Sequence, residues 1–180
     1  RFLRTHPGAT ILYNLICSRA VPEVIAELGG KGIRTKNGHS FMKQIMAETG
    51  AVFAGEHSGH YYFADNYRAD SGLIATMGVL GEMCHTGKSL SQMREPLERY
   101  ASSGEINTTV DDIHAVIERI ALDYSSYSQD RVDGLTVDCG SWWFNVRASN
   151  TEPLLRLNLE ASTRDECDNH VVELLASITA

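Results

Sequence analysis

The sequence lacks long apolar runs and paired cysteines. No stretch of about 18 apolar residues occurs, so a membrane-spanning helix is not expected. The opening Arg1-Phe2-Leu3-Arg4 also lacks the long apolar segment of a signal peptide. Cys17, Cys84, Cys139 and Cys167 form no C-x-x-C pair, which argues against a cysteine-based zinc site and against a disulfide framework. We therefore expect a cytoplasmic protein with reduced, mostly buried thiols.

Positive charge is also scarce, since the formal net charge is −7. A nucleic-acid-binding protein normally needs a broad basic surface, so we expect neither a nucleic-acid nor a membrane partner. Basic residues are nevertheless concentrated early, because residues 1–43 hold seven of the 16 lysines and arginines but only Glu23 and Glu27 as acids. This segment is compatible with an anion-binding site, and equally with a solvated basic face.

At 180 residues and 43% hydrophobic content, the chain can form one large domain or two small ones. Strand-like and helix-like segments alternate through its first hundred residues. Strands are expected at 10–16, 32–35, 51–54 and 61–63, and helices at 18–28, 40–48, 69–82 and 89–100. This β-α-β order predicts an α/β domain with a mixed sheet and flanking helices.

The second half has a different order of elements. Ser102-Ser103-Gly104 is small and polar and is interpreted as a linker, which gives domains at 1–101 and 105–180. Strands are expected at 105–110, 132–138, 142–147 and 154–161. Helices are expected over 113–124, where Asp111 or Asp112 can cap the helix, and after the capping box formed by Thr163 and Glu166. Because the last strands follow one another without helices, an α+β domain with a mainly antiparallel sheet is predicted.

The segment Arg147-Ala148-Ser149-Asn150-Thr151-Glu152-Pro153 lies between two predicted half-buried strands. Arginine offers a planar fork of donors that matches phosphate oxygens, and Ser, Thr and Asn add neutral donors. The segment is therefore a candidate phosphate-binding loop. The same composition is also typical of an ordinary turn.

Two further segments carry candidate binding chemistry. One segment is Gly55-Glu56-His57-Ser58-Gly59-His60. Glu56 can accept hydrogen bonds from two hydroxyl groups, and Ser58 can donate or accept a hydrogen bond, so the pair suits a polyol ligand. A surface turn remains an alternative. His57 and His60 are three residues apart, but no third metal ligand is evident nearby, so no metal site is predicted. His39 lies at an expected helix start, where it can contact an anion or simply cap the helix.

Together, Gly38-His39-Ser40, the segment 55–60 and the segment 147–153 resemble, in order, motifs of the α-D-phosphohexomutase family, most closely its bacterial phosphomannomutase/phosphoglucomutase members. The resemblance covers almost the whole chain. It implies that the chain comprises the third domain, truncated at its start, and the fourth, TATA-binding-protein-like domain. The serine loop T-x-S-H-N-P and the metal loop D-G-D-G-D-R of the family are not present.

The resemblance also implies residue roles. Glu56 and Ser58 hold sugar hydroxyls, while Arg147, Ser149, Asn150 and Thr151 bind the phosphate that is not transferred, with assistance from His39. Where some members carry a phosphate-contacting lysine this chain has Ile16, so Arg34 or Lys36 is expected to compensate. His60 is a further auxiliary candidate.

The implied function is that of the substrate-recognition half of a phosphohexomutase, which interconverts hexose 1-phosphates and 6-phosphates of mannose or glucose through a bisphosphate. On this interpretation no catalytic residue lies in the chain, the fragment alone is inactive, and Mg²⁺ and the phosphoserine belong to the missing N-terminal domains. The alternatives are a free-standing phosphosugar-binding or regulatory module and a phosphoglucosamine mutase fragment.

Overall fold

The computed structural model describes residues 1–149 and 152–180, which form two compact units, Arg1–Arg99 and Tyr100–Ala180. Each unit is built on its own five-stranded sheet. Among the described residues, no helix is both long and apolar enough to cross a membrane. The expected residues Asn150 and Thr151 lie outside the described part of the chain.

The first unit is a mixed sheet with flanking helices, as predicted. Its strand order is β2-β1-β3-β4-β5, in which β1 is parallel to β2 and β3, and β4 is antiparallel to β3 and β5. The elements are α1 (Phe2–Thr5), β1 (Thr10–Asn14), α2 (Ala20–Glu27), β2 (Lys31–Thr35), α3 (His39–Thr49), β3 (Phe53–Gly55), β4 (Tyr61–Phe63), β5 (Ala69–Asp70), α4 (Gly72–Thr86) and α5 (Leu90–Arg94).

Helices pack on both faces of this sheet because successive strand residues point to opposite sides. On β1, Ile11 packs with Ile25 of α2, while its neighbour Leu12 packs with Met42 and Met46 of α3. Helix α2, which follows β1, therefore covers one face of the sheet, and helix α3, which follows β2, covers the other. In open α/β sheets, ligand sites form at the carboxyl ends of strands where the connections diverge in this way.

Two predicted helices of the first unit differ from those observed. The helix expected at 69–82 begins only at Gly72, because Ala69–Asp70 joins the sheet and Ser71 caps the helix by accepting the Ile74 N–H at 3.2 Å. The helix expected at 89–100 ends as α5 at Arg94 and continues as a 3₁₀ turn, Glu95–Leu97. Pro96 has no N–H with which to continue the helical hydrogen bonding.

The second unit confirms the predicted antiparallel sheet and both capped helices. Its strand order is β6-β10-β9-β8-β7. The elements are β6 (Ala101–Thr108), α6 (Ile113–Asp123), β7 (Ser128–Asp130), β8 (Leu135–Asp138), β9 (Trp142–Ala148), β10 (Leu155–Ala161) and α7 (Arg164–Thr179). Asp112 accepts the Ala115 N–H at 3.0 Å and Thr163 accepts the Glu166 N–H at 3.2 Å. Strand β7 was not predicted.

The predicted linker at 102–104 is wrong, because these residues lie within β6. Small polar residues suit this position since the pairing of β6 with β10 shifts register there. The hydroxyl of Ser103 accepts the Leu159 N–H at 2.9 Å, and Gly104 adopts φ +69°. Small polar residues are therefore typical both of linkers and of irregular positions in strands, and here they mark an irregular strand.

The half-buried alternation predicted for the last strands is also wrong, since both faces of β9 are buried. Phe144 and Val146 contribute to the apolar core beneath α6 and α7. The opposite face buries polar side chains, Asn145 and Arg147 on β9 and Asn158 and Glu160 on β10. This polar sheet face carries one part of the candidate site.

The cysteines are free, as expected, but they are not mostly buried. Cys167 is buried, Cys17 and Cys139 are partly exposed, and Cys84 is exposed on α4. No residue of helix α4 is buried, so the expectation that Cys84 is buried, which rested on its residue type, is wrong.

Candidate functional site

Asn14 organises the carboxyl edge of the first sheet. It ends β1 and is 1% exposed. Its Oδ1 accepts the backbone N–H of His57 at 3.1 Å, and its Nδ2 donates to Oδ1 of Asn37 at 2.5 Å. One buried amide therefore fixes the segments that follow β2 and β3. The sequence analysis missed Asn14, although an asparagine that ends an apolar strand was a usable signal.

The segment from Glu56 to His60 is a tight turn between β3 and β4. The Glu56 N–H donates to the His60 carbonyl at 2.9 Å, and the Gly59 N–H donates to the Glu56 carbonyl at 3.0 Å. Gly59 adopts φ +86°, a conformation that side chains disfavour. Ser58 is exposed within the turn. The Ser58 hydroxyl is thus exposed to solvent on a turn whose backbone is held by two hydrogen bonds.

The Glu56 carboxylate is buried, and two groups hold it in place. Its residue is 6% exposed, its Oε1 accepts the Gly38 N–H at 3.3 Å, and its Oε2 accepts the Tyr62 hydroxyl at 2.8 Å. Burial, together with the hydrogen bond and negative charge of Glu56, raises the pKa of Tyr62 well above its usual range. The Tyr62 hydroxyl therefore keeps its proton and donates a hydrogen bond to Glu56. A carboxylate fixed in this way retains lone pairs for hydroxyl donors.

Helix α3 brings His39 to the same edge. His39 is its first residue, and the Gly38–Glu56 hydrogen bond attaches this end of the helix to the Glu56 turn. The His39 and His60 rings lie 4.3 Å apart between centroids, and the His39 and Tyr62 rings 5.5 Å apart. The structure thus groups the predicted residues His39, Glu56 and His60. The positive end of the α3 dipole also favours an anion here.

The two auxiliary cations lie on or just after β2. The Lys36 ammonium is 3.4 Å from the centroid of the Phe41 ring, on the first turn of α3. Arg34 donates to the Leu15 carbonyl at 3.3 Å, and the adjacent Ile16 is buried. Arg34 therefore places positive charge beside the loop in which Ile16 occurs, whereas the Lys36 ammonium lies over the first turn of α3.

Asp70 joins His39 and His60 in a cluster that the sequence analysis missed. Its Oδ2 lies 2.9 Å from Nδ1 of His60, and its Oδ1 lies 3.7 Å from Nδ1 of His39. The hydrogen bond from His60, followed by weaker charge effects, lowers the pKa of Asp70. This cluster does not fit Mg²⁺, which prefers an octahedral shell of oxygens, because two of its three ligands are imidazoles.

In the second unit, Arg147 lies in strand β9, in agreement with the strand predicted at 142–147, and the connection to β10 begins after Ala148. Its side chain is 7% exposed. The guanidinium donates to Oε2 of Glu105 at 2.7 Å, to Oδ1 of Asn158 at 2.7 Å and to Oδ1 of Asn145 at 3.3 Å. Glu105 also pairs with Arg156 at 3.2 Å. The sequence analysis missed Glu105 and Asn158 as partners because they come from other strands, β6 and β10.

The connection after β9 begins with Ser149, whose N–H donates to the Leu154 carbonyl at 2.8 Å. The predicted site residue Ser149 therefore leaves the sheet next to the buried Arg147. Gly134, which directly precedes β8, lies very close to β9. A Cβ added to it would lie 2.3 Å from the Val146 carbonyl oxygen and 2.5 Å from Cβ of Arg147. Only glycine fits so close to this strand.

Comparison with known proteins decides the family. The domain described as "Phosphoglucomutase/phosphomannomutase, alpha/beta/alpha domain III" matches residues 1–100, and the corresponding "C-terminal domain" matches residues 105–177. The chain belongs to the phosphoglucomutase/phosphomannomutase family. The resemblance inferred from the sequence motifs is thereby confirmed, as is the order of a mixed-sheet domain and an antiparallel-sheet domain.

Relatives within this family are considerably longer than the chain. A phosphomannomutase of Methanocaldococcus jannaschii is 40% identical over 181 residues, which cover 99% of this chain and 40% of that protein. A phosphomannomutase of Salmonella montevideo is 37% identical over 89% of this chain and 36% of that protein. A phosphoglucomutase/phosphomannomutase family structure from Burkholderia thailandensis has a TM-score of 0.81 at 30% identity, covering 98% of this chain and 39% of that one.

The chain therefore spans about 40% of the length of the curated relatives it matches. Within the family's domain III it places a buried carboxylate, two histidines and a helix N-terminus together. Within the C-terminal domain it places a buried arginine beside the start of a polar connection. The carboxylate of the first unit can accept hydrogen bonds from hydroxyl groups, and the arginine of the second unit can bind an anion.

Proposed function

We propose that this chain is the substrate-recognition half of a phosphohexomutase, an isomerase that interconverts hexose 1-phosphates and hexose 6-phosphates of mannose or glucose. The reaction would pass through a hexose bisphosphate, which would turn over in the site between the two phosphoryl transfers. The observation that supports this most is the buried Glu56 carboxylate, held by Gly38 and Tyr62 at the carboxyl edge of the family's domain III.

Glu56 and Ser58 would bind the sugar. A carboxylate has about four acceptor positions, and Gly38 and Tyr62 occupy two of those of Glu56. The remaining positions can accept hydroxyl protons, and Ser58 can either donate or accept. Hydroxyl recognition of this kind does not depend on which end of the sugar carries the phosphate. The same residues can therefore serve both orientations of the hexose.

Arg147, Ser149, Asn150 and Thr151 would bind the phosphate that is not transferred. The guanidinium has five N–H donors, so Arg147 can keep its contacts to Glu105 and Asn158 and still direct charge toward phosphate. His39, at the positive end of α3, would assist the phosphate contact. Lys36 and Arg34 would add positive charge in place of the lysine that Ile16 replaces.

Fixing the distant phosphate positions the reacting one, which is how phosphoryl transfer gains much of its rate. The groups that move the phosphoryl would belong to N-terminal domains outside this chain. Mg²⁺ would likewise be held outside it, by the family's metal loop D-G-D-G-D-R, which this sequence does not contain. We propose that the 180-residue chain alone is inactive, and that the complete enzyme is cytoplasmic.

Isothermal titration of the chain with glucose 1-phosphate and mannose 1-phosphate tests this function. Glu56→Gln should raise Kd by roughly 5- to 150-fold, since a charge-assisted contact contributes about 1–3 kcal/mol. Glu48→Gln is the matched control, because Glu48 is an exposed acid at the other end of α3. Equal affinities of the two variants would contradict the assignment of Glu56.

A further inference from the structure

Arg156 lies directly opposite Arg147 in the sheet of the second unit. The two residues are paired across the antiparallel strands β10 and β9, so their side chains leave the sheet on the same face. Glu105 of β6 contacts both guanidiniums, because its Oε2 lies 2.7 Å from Nη2 of Arg147 and its Oε1 lies 3.2 Å from Nη1 of Arg156. One carboxylate therefore serves two arginines, which leaves positive charge in excess at close range.

The repulsion between the two arginines is only partly relieved. Like charges directly opposite each other in a sheet are destabilising. Glu152 lies 3.8 Å from Nη2 of Arg156, but its side chain is 60% exposed, so water and salt screen this pair. The Nε of Arg156 is buried and has no hydrogen-bond partner among the described residues. An anion that approaches Arg156 would reduce the repulsion and offer acceptor oxygens to this guanidinium.

Arg156 is better placed than Arg147 to meet a ligand that arrives from solvent. The Arg147 side chain is 7% exposed and donates three hydrogen bonds to side chains of the sheet. The Arg156 side chain is 27% exposed. Its contact with Glu152 brings it toward the connection between β9 and β10, which is the candidate phosphate-binding segment. Arg156 therefore lies between the buried Arg147 site and that connection.

We propose that Arg156 is a second phosphate-binding arginine, which contacts the phosphate of the bound sugar directly. This inference rests on the proposed function and adds to it a residue to which the sequence motifs gave no role. Two guanidiniums present more N–H donors to the phosphate oxygens than one does. Rotation of Arg156 away from Glu152 costs little, because that ion pair is exposed. Arg156 should therefore strengthen the binding of a phosphorylated ligand and have no effect on an unphosphorylated sugar.

Titration calorimetry of the 180-residue chain with glucose 1-phosphate and with inorganic phosphate tests the proposal. Arg156→Gln keeps a long polar side chain but removes the charge, and should raise Kd for both ligands by roughly tenfold or more. Arg156→Lys keeps the charge without the fork of donors, so its Kd should lie between those of Arg156→Gln and the unmodified chain. Arg164→Gln is the matched control, because Arg164 is 59% exposed, follows the other end of β10 and pairs with Asp168. It should leave both Kd values unchanged.

Arginine side-chain signals distinguish a phosphate contact from a purely structural role. In ¹H–¹⁵N spectra, the Nε–H signal of Arg156, assigned by its loss in Arg156→Lys, should shift with glucose 1-phosphate and stay unchanged with glucose. Circular dichroism shows whether each variant is folded. If Arg147→Ala weakens the binding of glucose 1-phosphate but Arg156→Gln does not, or if the Nε–H signal of Arg156 does not shift, the role of Arg156 is wrong while the proposed function stands. If the unmodified chain binds neither glucose 1-phosphate nor inorganic phosphate, both are wrong.

Discussion

The hydroxyl of Tyr62 donates a hydrogen bond to Oε2 of Glu56 at 2.8 Å, and both residues are buried. This contact joins the middle of β4 to the turn that precedes it, so the candidate sugar-binding carboxylate is fixed by the sheet itself. Tyr62 also contributes its ring to the core formed by Leu12, Met42 and Met46. One side chain thus supports both the fold and the site.

Tyr62→Phe should lower the free energy of unfolding by about 1–3 kcal/mol, because it leaves a buried carboxylate with one donor fewer. Urea denaturation measures this change. Tyr61→Phe, at the adjacent and partly exposed position, is the control and should change stability by less than about 0.5 kcal/mol. If the two variants lose the same stability, the Tyr62–Glu56 contact is not a significant restraint.

Arg147→Ala should weaken phosphosugar binding by about 1–3 kcal/mol, the scale of a lost charge-assisted contact. It should also destabilise the second unit, because Glu105 and Asn158 lose their buried partner. Calorimetry and urea denaturation measure the two effects. Arg131→Ala removes an arginine of the same unit whose ion pair with Glu118 is half exposed. It should leave phosphosugar binding unchanged and lower the free energy of unfolding by at most about 1 kcal/mol.

Binding and stability are separable at this pair. Glu105→Gln keeps the guanidinium and should lower the free energy of unfolding while leaving phosphosugar affinity nearly unchanged. If Glu105→Gln instead abolishes binding as completely as Arg147→Ala, Arg147 acts by holding the sheet together. Its proposed contact with phosphate would then be wrong.

Gly134→Ala should lower the free energy of unfolding by more than about 2 kcal/mol, because positive φ and a clash with β9 both act against a side chain. Gly140→Ala is a close control. Gly140 also has positive φ, at +89°, but nothing lies within 4 Å of its added Cβ. It should therefore show the backbone cost of about 1–2 kcal/mol alone. A smaller loss at Gly134 than at Gly140 would contradict the close approach to Arg147.

The stability of the chain should fall in acid partly through two exposed ion pairs. A hydrogen bond from Arg99 lowers the pKa of Glu27, and one from Arg131 lowers the pKa of Glu118. A carboxyl whose pKa is lower in the folded state stabilises the fold above its unfolded pKa, and this stability is lost as pH falls through the folded value. The pH window therefore lies at and below the ordinary glutamate pKa of 4.5.

Urea denaturation at pH 6 and pH 3 measures this dependence. A double variant, Glu27→Gln with Glu118→Gln, should lose less stability between the two pH values than the unmodified chain. Glu48→Gln with Glu95→Gln substitutes two exposed glutamates of the first unit and serves as the control. An identical loss in all three proteins would show that the two ion pairs do not contribute.

The order of elements was largely predictable because it depends on local signals. Alternation indicated β9 and β10, and side chains able to cap a helix marked α6 and α7 at Asp112 and Thr163. Local composition failed where tertiary contacts decide the structure. Ser102-Ser103-Gly104 has the composition of a linker, yet pairing with β10 makes it part of a strand. The two-residue strand Ala69–Asp70 likewise exists through its pairing with β4.

The candidate site was only partly predictable for the same reason. Glu56 and Ser58 were accessible from one short motif, and the structure places them on a single turn. Asn14, Glu105 and Asp70 were missed, because each acts on residues at least ten positions away. Sequence spacing alone gives no information on such pairs. The structure supplies them by bringing strand ends together.

The central claim, that this chain recognises a phosphosugar, is tested most directly by amide chemical shifts. In ¹H–¹⁵N spectra, glucose 1-phosphate should shift the amides of Glu56 and Ser58 in the first unit and of Ser149 in the second, in a saturable manner. Unphosphorylated glucose should leave the Ser149 amide unchanged. If glucose 1-phosphate at saturating concentration shifts none of these amides, or shifts only exposed basic residues elsewhere, the claim is contradicted.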